Sequence, residues 1–150
     1  MGQKINRMIQ LLFKTGRLHY RLSFAKLAEQ GIPIGSPPLL RWIGEHEGCR
    51  HKDLASNCHL EPATVTSALL TMEKEGLIRR ESDPNDRRSI CLSLTPKGTE
   101  TLERAGKIFR VLEEAYFEGF SEEEKRMAEK LLEKLTDNMM RIESKEEAKR

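Results

Sequence analysis

Two stretches of the chain carry residue types suited to a polyanion. The first is Asp86-Arg87-Arg88, which follows the turn-forming run Ser82-Asp83-Pro84-Asn85. An arginine on a narrow projecting turn can enter the minor groove of DNA, where A·T-rich sequence concentrates negative potential. An aspartate beside it works against phosphate binding unless it orients the arginine through a bidentate pair. Taken in isolation, a D-R-R run reads more readily as solvated surface. The second stretch follows Pro62-Ala63 and is rich in hydroxyls: Thr64, Thr66, Ser67 and Thr71. Hydroxyls can contact phosphates or several bases, and threonine methyls can pack on thymine methyls, but none of these gives a bidentate readout. The same side chains read equally well as ordinary solvated helix positions.

Other chemistries find little support. The four histidines, His19, His46, His51 and His59, form no H-x-x-x-H pair, so no metal site is expected. The three cysteines, Cys49, Cys58 and Cys91, are odd in number and lack a C-x-x-C. That argues against a secreted disulfide scaffold and for a reducing, cytoplasmic setting, with the thiols as packing residues. Cys49, beside Arg50 and His51, is the one thiol whose neighbours could lower its pKa. No G-x-S-x-G, H-E-x-x-H or phosphate-loop pattern occurs, so neither an enzyme nor a cofactor is expected.

These residues need elements to hold them. A helical apolar pattern over about 4–30 includes Ile5, Ile9, Leu12, Phe13, Leu22 and Leu27, and ends at Gly31 with Pro33 beyond. Ser36-Pro37 predicts the next helix, with Ser36 as its cap and Leu39, Leu40 and Ile43 inward. Asp53-Leu54-Ala55 lies on a short third helix. Pro62 opens a fourth, in which Val65, Ala68, Leu69 and Met72 face the core and Gly76 is the stop. The period then changes to two. Ile90, Leu92 and Leu94 alternate with Ser89, Cys91 and Ser93, predicting a half-buried strand paired with residues 77–81 across the loop 82–86. Thr95-Pro96 starts a fifth helix. Ser121, with Glu124 at capping-box spacing, starts a sixth. Its Ala128, Leu132, Leu135, Met139 and Ile142 form a coiled-coil-like seam, and residues from Ser144 onward read as frayed.

Helix, short helix, turn, helix and hairpin is the order of a helix-turn-helix followed by a wing, whose second helix enters the major groove. Composition agrees. The chain has 150 residues, a third of them charged, and only 5% aromatics. The net charge of +2 conceals an excess of +4 up to Glu100 and −2 beyond it. The amino-terminal apolar patch, Met8 to Phe13, is broken by Gln10 and does not read as a signal peptide, and no apolar run approaches membrane-spanning length.

From Gly76 the chain reads G-L-I-R-R-E-S-D-P-N-D-R-R-S-I-C-L-S-L-T-P-K-G. This resembles the wing signature of the MarR family of transcription regulators, G-L-[IV]-x-R-…-[PD]-x-D-R-R-…-L-T-x-x-G. Asp53-Leu54-Ala55 and Thr64-Val65-Thr66 resemble the family's third and recognition helices. The resemblance implies a mainly α fold: a winged helix-turn-helix of six helices with a two- or three-stranded β wing. Residues 35–99 would form the DNA-binding lobe, and 1–34 and 100–150 the dimerisation helices.

The implied partner is a palindromic double-stranded operator, bound by a homodimer that usually acts as a repressor. Pro62, Ala63, Thr64, Thr66, Ser67 and Thr71 would face the major groove. Of the wing residues Asp86, Arg87 and Arg88, Arg88 would enter the minor groove, held by Asp86. The family often has a larger polar or basic residue where this chain has Ser67 and Thr71, which shifts the reading toward DNA shape. It also often has Ser or Thr where this chain has Arg50; Arg50, His51 and Lys52 can contact phosphate there, or be plain surface. Thiol sensors of the family carry a cysteine near the start of the first helix, and none stands there. A small-molecule effector is implied by analogy, with Arg17, Tyr20, Trp42 and His46 as candidate pocket residues that read equally as core or interface.

Overall fold

A computed structural model describes residues 2–150, with side chains from Arg7 onward, so Ile5 lies outside the described side chains. The elements run α1 (Gly2–Glu29), α2 (Ser36–Glu45), β1 (Cys49–Arg50), α3 (His51–Asn57), α4 (Pro62–Lys74), β2 (Ile78–Asp83), β3 (Asp86–Leu94), α5 (Pro96–Tyr116) and α6 (Glu122–Glu147). The three strands form one antiparallel sheet in the order β1-β3-β2. This is the winged helix-turn-helix architecture, mainly helical, with the third strand present.

The chain divides into two units, one up to Leu112 and one from Glu113 to Arg150. The core of the first is built at the meeting of three helices and the sheet. Leu39, Leu40 and Ile43 of α2, Leu54 of α3, and Val65, Leu69 and Met72 of α4 are fully buried, and Leu77, Ile78 and Leu92 close the cluster from the sheet side. The i, i+1, i+4 spacing on α2 and the i, i+4, i+7 spacing on α4 put these side chains on one face of each helix. Each buried Leu, Ile or Met contributes about 1.5–3 kcal/mol relative to exposure, which makes this cluster the main fastening of the lobe. A smaller cluster joins Leu27 and Ile32, at the end of α1, to Ala105 of α5. The Ile32 N–H bonds the Leu27 carbonyl at 3.0 Å, closing α1 where its apolar face turns inward.

The structure departs from the sequence-based expectations at several ends. Ser36 does not cap α2. It is buried inside the first turn, its Oγ donates to the Pro33 carbonyl at 2.6 Å, and Gly35 takes the cap position. The hairpin is longer and its turn tighter than a loop over 82–86: Asp83 pairs with Asp86 across Pro84-Asn85. Ile90 was expected inward but is 45% exposed, because the distal hairpin projects past the core. α6 continues through Ser144 to Glu147.

The base of the hairpin explains the G-L…L-T-P-K-G spacing. Thr95 Oγ1 donates to the Gly76 carbonyl at 2.6 Å and accepts from the Gly98 N–H at 3.0 Å, so one hydroxyl caps α5 and ties it to the end of α4. The Thr95 N–H reaches the Leu77 carbonyl, and Lys97 Nζ the Glu75 carbonyl. Gly76 takes φ 71°, the left-handed conformation that ends α4. A Cβ on Gly98 would overlap the Leu77 carbonyl oxygen, so only glycine fits.

In the second unit α6 begins with the expected capping box. Ser121 Oγ accepts from the Glu124 N–H at 3.1 Å, and the Glu124 carboxylate accepts from the Ser121 N–H at 2.8 Å. No residue of α6 is buried in the single chain.

Candidate nucleic-acid interface

α4 is aimed by its own inward face. With Val65, Leu69 and Met72 buried, Pro62, Ala63, Thr64, Thr66, Ser67 and Thr71 are all exposed. Their chemistry is narrower than the sequence suggests. Thr66 Oγ1 donates to the Pro62 carbonyl at 3.0 Å and Thr71 Oγ1 to the Ser67 carbonyl at 3.2 Å. Both hydroxyl protons are thus used within the helix, leaving the oxygens as acceptors and the methyls as apolar contacts. Leu70, absent from the sequence-based set, is 57% exposed. Leu70 lies three and four residues after Ser67 and Thr66, so it shares their outward face.

The three basic residues Arg50, His51 and Lys52 have different surroundings. His51 Nε2 lies 3.4 Å from Thr66 Oγ1, beside the recognition helix, and Lys52 is exposed. Arg50 is engaged: its Nη2 donates to Asp83 Oδ2 at 2.8 Å. Loss of a side-chain cap at Arg50 is offset by Asp53, which accepts from the Arg50 N–H at 3.2 Å.

On the wing, Asp86, Arg87 and Arg88 are exposed. Asp86 does not pair with the Arg88 guanidinium. Its Oδ1 accepts from the Arg88 backbone N–H at 3.0 Å and its Oδ2 from Ser89 Oγ at 2.7 Å. The expectation of a bidentate pair is therefore corrected. Chain geometry is the reason: two residues apart, a short carboxylate reaches the backbone amide in an Asx turn. The aspartate shapes the backbone that carries Arg88. The hydroxyl of Ser89 and the Arg88 amide, in that order, hold the Asp86 carboxyl below the usual carboxylate range. The Asn85 amide, then Arg50, do the same for Asp83. Nearer the core, Arg80 of β2 lies 3.0 Å from Glu73 of α4, linking the hairpin to that helix.

The remaining candidates lie on two elements, Arg17 and Tyr20 on α1 and Trp42 and His46 at the end of α2. Arg17 lines a shallow depression on α1 with Lys14, Leu18 and Arg21. Trp42 lines another with Pro38, Arg41 and Cys58, while His46 stacks on Trp42 at 3.7 Å and Tyr20 lies against Phe24. Neither depression is lined by more than one of Arg17, Tyr20, Trp42 and His46. Burial, with Asp53 adding to it, pushes the Cys49 thiol up to about 11, opposite to the lowering that Arg50 and His51 suggested. Among the described residues, no group of three His, Cys, Asp or Glu side chains could hold a metal, and no helix is long and apolar enough to cross a membrane.

Comparison with known proteins agrees with this geometry. The MarR family model matches residues 38–90, from α2 into the wing. The chain is 29% identical to the HTH-type transcriptional regulator BilQ of Clostridium symbiosum, over 74% of this chain and 77% of that protein. It is 30% identical to the uncharacterized HTH-type transcriptional regulator YsmB of Bacillus subtilis, over 68% of this chain and 70% of the relative. The solved MepR–DNA complex of S. aureus shares the fold, with a TM-score of 0.74 at 23% identity, over 86% of this chain and 94% of that one. With a buried three-helix core, a wing locked at its base and an exposed α4, the chain belongs to the MarR family of winged helix, DNA-binding transcription regulators.

Proposed function

We propose that the protein is a homodimeric repressor that binds a palindromic operator, with α4 in the major groove and Arg88 in the adjacent minor groove. The observation that carries this reading is the pair of exposed arginines on a hairpin fastened, through Thr95, Gly98 and the Arg80–Glu73 pair, to the unit that presents α4. Lys52 and His51 would add phosphate contacts at the start of α3. Ordered selection of DNA by the purified protein tests the operator, and half-sites about 10 bp apart, or a multiple, are expected from two-fold docking.

The apolar surface left open by the single chain supports the dimer. α1 exposes Leu11 and Phe13, the latter 64% exposed, and α6 exposes Leu132, Met139 and Ile142. Patches of this kind on terminal helices mark association surfaces. Residues 1–34 and 100–150 serve as the dimerisation segments and 35–99 as the DNA-binding lobe. Truncation before Ser121 is expected to leave a monomer by light scattering; an intact dimer would refute the role of α6. Release by a small-molecule effector completes the reading. The basic depression at Lys14, Arg17 and Arg21 favours an anionic one. A cytoplasmic location follows from action on DNA.

A further inference from the structure

The distal wing should be loose. It projects beyond the core, and a two-stranded ribbon has marginal stability by itself. The pairing jumps from Ser82–Ile90 to Asp83–Asp86, so Arg87, Arg88 and Ser89 have no opposite residue on β2. Yet Asp83, at the last paired position before the turn, is 9% exposed. Both of its oxygens are occupied: Oδ1 accepts from the Asn85 N–H at 2.8 Å, and Oδ2 from Arg50 at 2.8 Å.

Arg50 reaches this carboxylate from another element. Its backbone pairs in register with Cys91 of β3, and its N–H is held by Asp53 of α3. One residue therefore joins the start of α3, the third strand and the wing turn. With Asp53 supplying the helix cap, the long side chain at this position is free to cross to the wing, which a Ser or Thr could not reach.

We propose that Arg50 and Asp83 form a clamp that fixes the wing tip relative to the helix-turn-helix and so positions Arg88. Arg50 is then a positioning residue and not a phosphate contact. The inference rests on the reading that the wing inserts into DNA.

The two roles of Arg50 predict opposite signs for one substitution. If Arg50 served phosphate, Asp83→Asn would release it and remove a negative charge, and binding would tighten. If the pair is a clamp, Asp83→Asn weakens operator binding, by about five- to tenfold, with an unchanged salt slope. The full-length protein is titrated against operator DNA at several salt concentrations, with circular dichroism showing that the variant is folded. Arg50→Met is expected to lose as much, and Arg50→Lys to recover part of it. A clamp acts through Arg88, so the Asp83→Asn loss should vanish in an Arg88→Ala background. Tighter binding by Asp83→Asn would overturn the clamp. So would additive losses in that background, or a salt slope reduced by about one in Arg50→Met.

If Arg88→Ala alone leaves affinity unchanged, the wing-insertion reading fails. The clamp is then decided by amide exchange at Arg88 and Ser89 in the free protein. Faster exchange in Asp83→Asn upholds it, and unchanged exchange overturns it.

Discussion

On the proposed reading, α4 and the wing would meet DNA with opposite equipment. From Pro62 to Met72 α4 carries no charged residue, and two of its threonines spend their hydroxyl protons on their own backbone. What it offers outward is small, shaped and partly apolar: Ala63, threonine methyls and Leu70. The wing offers Arg87 and Arg88 on a segment whose own strand pairing is interrupted but whose backbone is held by Asp86. The helix is held by its packing on the core, whereas the wing is held by polar bonds, at Thr95 near its base and at Asp83 near its tip. DNA recognition is thus divided on the proposed reading, with fit placed on the packed element and charge on the hydrogen-bonded one.

Three substitutions test that division, from the largest expected effect to the smallest. Arg88→Ala is expected to cost about 1–3 kcal/mol of operator binding, measured by fluorescence anisotropy at fixed salt. A negligible loss would break the comparison outright, since the helix would then carry the affinity. Asp86→Ala removes a negative charge, which by phosphate electrostatics alone should tighten binding. Loss of the bonds to the Arg88 amide and Ser89 Oγ is expected to weaken it instead, by less than Arg88→Ala, and a gain in affinity would sink the shaping role. Leu70→Ala is expected to weaken binding by no more than about 1 kcal/mol, the worth of covering about one of the three carbon groups it removes at about 0.8 kcal/mol each. That loss should disappear on an operator in which deoxyuridine replaces thymidine, because the methyl partner is then gone. Equal loss on both DNAs would remove Leu70 from base readout.

Much of the fold was legible because it rests on local rules. The inward faces of α2 and α4 follow from apolar spacing, and the capping box of Ser121 and Glu124 from a spacing of three. The candidate site was legible less evenly. Arg87 and Arg88 stand out as a charged pair after a turn, whereas Leu70 looks like a core residue until the helix is packed and one face is found empty. Ser36 misled because Ser before Pro suits both a cap and a first turn, and only the Pro33 carbonyl decides between them.

Gly76 to Gly98 by itself determined the hairpin and its basic tip, since turn residues, alternation and glycine requirements act within a few positions of each other. Which partner each charge in and around it takes was decided only by the tertiary structure. Asp86 turned to the Arg88 amide and the Ser89 hydroxyl, which together occupy both of its oxygens. Arg50 found Asp83, which lies 33 residues away in sequence, because β1 joins the sheet beside β3. A salt bridge of that range has no sequence period, so folding alone brings its ends together.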